Sequence, residues 1–127
     1  MENIQNTRNL TPAPFPIPGA TSDKLSAHVL NVDLTFGPVF AVLLLEAGAY
    51  IPRHVHRATA EQLYVLEGDF INDGISYGPG AFFAHDAGQP HGPHASQGGC
   101  KLIFTQAKEV DPSDFFIVDE RAEQLAH

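Results

Sequence analysis

The chain has a single cysteine, Cys100, which permits no internal disulfide and fits a reducing compartment without requiring one. Basic residues are scarce: seven Lys and Arg stand against fifteen Asp and Glu, a formal charge of −8 with the seven His counted neutral. That balance counts against a nucleic-acid backbone or an anionic membrane as partner. No apolar run approaches the roughly 20 residues of a membrane-spanning helix. The N-terminus Met1-Glu2-Asn3-Ile4-Gln5 lacks a basic-then-apolar export signal. A soluble, cytoplasmic protein is the expectation, while the charge says little about a small-molecule substrate.

What the chain has is turn chemistry and a core. Eleven Gly and ten Pro in 127 residues are about a sixth of the chain, against a typical ~12%. Helices do not tolerate that punctuation, whereas short strands joined by turns do. Hydrophobic residues make up 43%, enough for one core in one domain. Residues 1–20, with the alternating prolines of Thr11 to Gly19, read as an extended arm. Phe15 and Ile17 are either pinned against the domain or a neighbouring subunit, or part of a loose terminus. Residues 21–127 form the single domain.

From Ala27 onward the pattern has period two and short apolar runs. Strands are predicted at Ala27–Asp33, Val39–Leu45, Tyr50–His56, Glu61–Leu66, Ile75–Tyr77, Ala81–Ala84, Cys100–Gln106 and Phe115–Val118. Asp73-Gly74 between apolar runs predicts a tight hairpin turn, because glycine supplies the positive φ such a turn needs. The stretch after Asp119 leaves room for a short C-terminal helix. Many short strands with turns about every ten residues indicate an all-β sandwich or barrel.

The chemistry concentrates in Gly48 to Gly68. His54 and His56, one residue apart on a predicted strand, project from the same face. Glu61 follows a short turn at the start of the next strand, where a hairpin brings its carboxylate beside the two rings. His91, after the Gly88-Gln89-Pro90 turn, offers a fourth donor. Two imidazoles and a carboxylate on rigid strands suit a divalent transition metal.

These residues resemble the first motif of the cupins: Gly48, His54, His56, Glu61 and Gly68 fill its positions in order. Gly80, Gly88 and His91 match the second motif in part, with Asp86 where a proline stands and Ala95 where an asparagine often follows. Residues 64–70 and 98–102 look similar to the anti-sigma-factor-like and diketone-cleaving dioxygenase branches. The resemblance implies a double-stranded β-helix, or jelly-roll, barrel. It implies one metal held by His54, His56, Glu61 and His91, with Fe(II) favoured and Zn, Mn or Ni alternatives. It implies a homodimer as well. The implied activity is oxygenative cleavage of a keto or enol compound, with Glu61 either a ligand or a base beside the metal. A non-redox isomerase, lyase or cyclase, or a metal-binding sensor without turnover, remain alternatives.

Around that centre, Phe83, Phe104 and Arg53 are candidates for the substrate pocket. Phe40 and Phe82 are read as core. Strand alternation counted from His91 turns His94 away from the cavity, and His85, ahead of the Asp86 turn, is placed outside it. Cys100 is read as a buried thiol rather than a nucleophile.

Overall fold

The structure is a computed structural model that describes residues 2–118. The helix expected after Asp119 lies outside the described residues.

Four long strands carry the core. The first three are β2 (Leu25–Asn31), β3 (Val39–Leu45) and β6 (Glu61–Gly68), with β1 (Ala13–Pro14) and two short strands, β4 (Tyr50–Ile51) and β5 (His54–Val55), between or before them. The chain continues through β7 (Phe70–Asn72), β8 (Ile75–Tyr77), β9 (Phe82–His85), β10 (His94–Ala95), the fourth long strand β11 (Cys100–Gln106) and β12 (Phe116–Ile117). One sheet has the order β1-β2-β3-β11-β6-β9, a second β4-β10-β7-β8, and a third pairs β12 with β5. Each pairing is antiparallel. This is the all-β jelly-roll architecture that the strand count and the motif imply.

Alternation decides which residues form the core. On β3, Val39, Ala41, Leu43 and Leu45 are buried; on β6, Glu61, Leu63 and Val65; on β11, Cys100, Leu102, Phe104 and Gln106. Register stacks them across the sheet: Leu43 faces Leu102, which faces Val65, and Ala41 faces Phe104, which faces Leu63. Burying each Leu, Val or Phe side chain contributes about 1.5–3 kcal/mol. The same alternation sends Phe40 outward on β3, and Phe82 and its partner Tyr64 outward on β9 and β6. Phe40 is therefore 37% exposed and Phe82 59%. Neither is core, a correction to the reading from composition.

One cross-sheet row positions the chemistry. Val39 pairs with Gln106, Gln106 with Glu61, and Glu61 with His85. Glu61 thus sits buried at the end of the large sheet, facing the interior between the sheets. Upstream, Ala13 and Pro14 pair with Ala27 and Ser26, and Phe15 and Ile17 pack half-buried against the core. The Asp73-Gly74 turn joins β7 and β8, with φ of 50° and 80°. Among the described residues no helix is long and apolar enough to cross a membrane.

Candidate metal centre

The strand predicted from Tyr50 to His56 is interrupted at Pro52, which has no N–H to offer a ladder. Beyond the break His54 and His56 keep their alternation, and their ring centroids are 4.8 Å apart. An isolated bridge joins His54 to His91, and it brings the two rings to 4.2 Å. Glu61 reaches the same point from β6. His91 Nε2 lies 2.9 Å from Glu61 Oε1, and His56 Nε2 lies 3.5 Å from Oε2. One donor atom from each of His54, His56, Glu61 and His91 lies within 4.8 Å of the others. The four residues read from the sequence meet at one place.

Their hydrogen bonds fit a metal. Nδ1 of His54 faces the carbonyl of Pro52 at 2.8 Å, Nδ1 of His56 that of Asp114 at 2.6 Å, and Nδ1 of His91 that of Gln89 at 3.1 Å. A carbonyl only accepts, so in each ring Nδ1 carries the proton and Nε2 keeps a lone pair. Imidazoles that ligate metals are held in this way. His91 Nε2 is buried and makes no hydrogen bond, although Glu61 Oε1 is 2.9 Å away. At that distance the two atoms share a cation, either a proton on His91 or a metal ion. Donors bound at about 2.0–2.2 Å to one centre stand roughly 3.0–3.5 Å from one another. The distances from Glu61 to His91 and to His56, 2.9 and 3.5 Å, are close to that, while the four donors together lie within 4.8 Å. Three nitrogens and one carboxylate suit Fe, Mn, Ni or Zn and disfavour thiophilic metals.

Burial and the neighbouring rings set the charge states. Burial pushes the Glu61 carboxyl up, but contacts with His85, His91 and His56 outweigh it and hold the group well below the usual carboxylate range. Glu61 is therefore ionised at neutral pH. Burial lowers His54 to about 4 and His94 to about 3, so both rings are neutral. Cys100 is buried, and burial pushes its thiol up to about 11, which makes it a poor nucleophile as the sequence reading held.

Four residues near the centre escape the sequence reading. His85 is buried, with Nδ1 3.4 Å from Glu61 Oε1 and its ring stacked on His91 at 4.0 Å. It is not among the residues that line the cavity, as expected, but its register opposite Glu61 sets it against the cluster. His94 is also buried, 3% exposed, and lines the cavity. Gly92, at φ 90°, takes the chain out of strand geometry, so alternation counted from His91 fails before it reaches His94. Neither ring nitrogen of His94 has a partner, and a buried unmet polar group costs about 1–3 kcal/mol. Asp114 supplies the carbonyl that orients His56, and its carboxylate accepts the N–H of Arg57 at 2.7 Å and of Ala58 at 3.0 Å. Phe115 stacks on His54 at 4.2 Å. These last two residues belong to a C-terminal strap, fixed by β12 pairing with β5.

The centre opens into a cavity of about 230 Å³. Its walls are mainly apolar, with Leu43, Leu63, Phe70, Leu102 and Phe104 among them, and His54, His56 and Glu61 at one side. Phe104 thus lies where a pocket residue should. Phe83 and Arg53 are not among the lining residues. Phe83 packs on Phe70 and Tyr77 instead, and Arg53 lies in the break between β4 and β5.

Residues 16–111 match the family model described as the ChrR cupin-like domain. No curated protein matches the chain significantly. Among solved structures, the polyketide cyclase RemF from Streptomyces resistomycificus superposes with a TM-score of 0.74 at 18% identity, over 94% of this chain and 87% of that one. An acetylacetone dioxygenase from Acinetobacter johnsonii gives 0.67 at 16%, over 99% and 92%. An RmlC-like cupin from Ralstonia eutropha gives 0.65 at 18%, over 98% and 88%. Likeness at these identities establishes the fold and leaves the reaction to the site itself.

Proposed function

The chain belongs to the ChrR cupin-like domain family, and on that premise we propose that it is a metal-dependent enzyme cleaving a small keto or enol compound with dioxygen. The observation that carries the reading is the convergence of three Nε2 lone pairs and an ionised carboxylate at the wall of an apolar cavity. His54, His56, His91 and Glu61 would hold the ion, with Fe(II) favoured over Zn, Mn and Ni. When bound, such an ion supplies Lewis acidity and, as iron, one-electron redox chemistry.

The protein's own residues do the rest. The carbonyls of Pro52, Gln89 and Asp114 fix the three rings, so no reorientation accompanies substrate entry. Leu43, Leu63, Leu102 and Phe104 exclude water from the substrate side of the centre. Glu61 is the one carboxylate at the cluster, so an oxygen of it that the ion leaves free is placed to accept the proton lost as the substrate enolises. In the overall reaction a carbon–carbon bond breaks and both atoms of dioxygen enter the products. The substrate supplies all the electrons, and no external reductant is required.

The same proposal includes a homodimer and a cytoplasmic location. The outer face of the large sheet supports the first: Phe82, Tyr64, Ile103 and Val42 lie in one register row across four strands, with Phe82 and Tyr64 exposed. Sedimentation velocity should show a dimer, and a stable monomer contradicts that part. The single cysteine supports the second.

Oxygen uptake tests the activity. Protein loaded with Fe(II) should consume oxygen with a 1,3-diketone or a hydroxyketone, and His91→Ala should abolish it. No uptake with any such compound overturns the oxygenative reading. Turnover with Zn and without oxygen replaces it by the non-redox one.

A further inference from the structure

We propose that His94 is a second recognition point of the cavity, hydrogen-bonding a polar group of an uncharged, largely apolar substrate whose reacting oxygen lies at the His54, His56, Glu61 and His91 cluster. The inference rests on the metal-centred reading and adds the substrate class to it.

His94 is almost fully buried, faces the cavity, and finds no partner for either ring nitrogen. Its ring centroid is 5.7 Å from that of His54 and 5.6 Å from that of His91. It stands beside the centre yet outside the group of four donors that converge there. The ring is held firmly: β10 pairs with β4 on one side and β7 on the other, and Phe70 packs against it at 5.0 Å. Its neutral imidazole offers one N–H donor and one lone pair, so a hydroxyl or a carbonyl satisfies it. Both groups must sit on one small molecule a few bonds apart, given the ring spacings.

The remainder of the lining decides the charge. Glu109, Asp111 and Asp114 line the cavity, and among the described residues no Lys or Arg does. Away from the ion, a carboxylate meets like charge there with no Lys or Arg to receive it, whereas a neutral ketone meets mainly hydrocarbon. His94 can then discriminate strongly, because a site built around a buried hydrogen-bonding group rejects analogues that leave the group unpaired.

Calorimetric titration of the Zn-loaded protein, without turnover, tests this with three probes. Diacetone alcohol carries a ketone and a hydroxyl, methyl isobutyl ketone lacks the hydroxyl, and levulinate carries a carboxylate. The wild type should bind the hydroxyketone about tenfold more tightly than the plain ketone, and levulinate more weakly than the hydroxyketone. His94→Phe, which keeps a ring against Phe70, should retain its metal and lose the preference. His94→Gln, with a donor and an acceptor, should recover part of it. A preference unchanged in His94→Phe, metal lost from that variant, a wild type that binds neither ketone, or levulinate bound most tightly overturns the proposal. Stripping the metal with a chelator separates the two readings. If ketone binding and its His94-dependent preference persist without metal, the metal-centred reading fails and the role of His94 stands.

Discussion

His54 and His91 face each other across a bridge in which each backbone N–H donates to the other's carbonyl, 3.0 Å one way and 2.9 Å the other. The pair ties the segment after the Pro52 break to the segment after the Pro90 turn. Backbone contacts therefore fix the separation of the two imidazoles before any side chain rotates. A metal centre built on rigid strands in this way is more accurately placed than one built on loops.

Asp114 should matter to both stability and metal affinity. Its carboxylate holds the N–H groups of Arg57 and Ala58 in the turn between His56 and Glu61, while its carbonyl orients the His56 ring. Asp114→Ala removes the two charge-assisted hydrogen bonds and should cost about 1–3 kcal/mol. The loosened turn and strap should weaken metal binding by about 10–100-fold. Urea unfolding and chelator competition measure the two effects. A variant with unchanged metal affinity would show that the strap does not position His56.

Acid should destabilise the metal-free protein. Burial lowers His54 to about 4 and His94 to about 3, against 6.5 in the unfolded chain. Below about pH 6.5 the unfolded chain binds protons that the folded one refuses, so stability is full above that pH and declines as pH falls. Glu61, also held down in the fold, adds to the decline once pH drops below its ordinary value. Between about pH 7 and pH 5 the loss should be about 3–4 kcal/mol for the two rings together, and His94→Phe should remove about half of it. Urea midpoints that do not move with pH would contradict these neutral buried rings.

Gly68 should tolerate no side chain. At φ 81° a Cβ there would collide with the carbonyl of Gly99 and lie 2.8 Å from the Cα of Cys100, both backbone atoms that cannot rotate aside. Gly68→Ala should lower stability by more than the about 1 kcal/mol of an ordinary glycine substitution, read from the thermal midpoint. A midpoint within error of the parent would mean that β6 and β11 do not approach as closely as described.

Much of this was legible in the chain. Val39–Leu45, Ile75–Tyr77 and Cys100–Gln106 appear with the bounds that apolar alternation predicts, and Asp73-Gly74 makes the expected turn. His54, His56, Glu61 and His91 converge because the first three follow local rules of spacing and turn, and His91 sits behind a turn readable from Gly88 and Pro90. The rest depends on long-range register. Phe70–Asn72 and His94–Ala95 are too short to show a period, so β7 and β10 were invisible. His85 gains its place from pairing with Glu61, and Asp114 meets His56 from the far end of the chain. Being aromatic, Phe40 and Phe82 read as core from the sequence, and only the sheet register shows that their faces turn outward.

The central claim is that one cation sits among His54, His56, Glu61 and His91. Elemental analysis of the protein purified without added metal, beside His54→Ala prepared identically, tests it most directly. Close to one transition-metal ion per chain in the parent and almost none in the variant is the predicted result. A parent free of metal that also takes up none from Fe(II), Zn, Mn or Ni, or a variant that holds as much as the parent, would contradict the account.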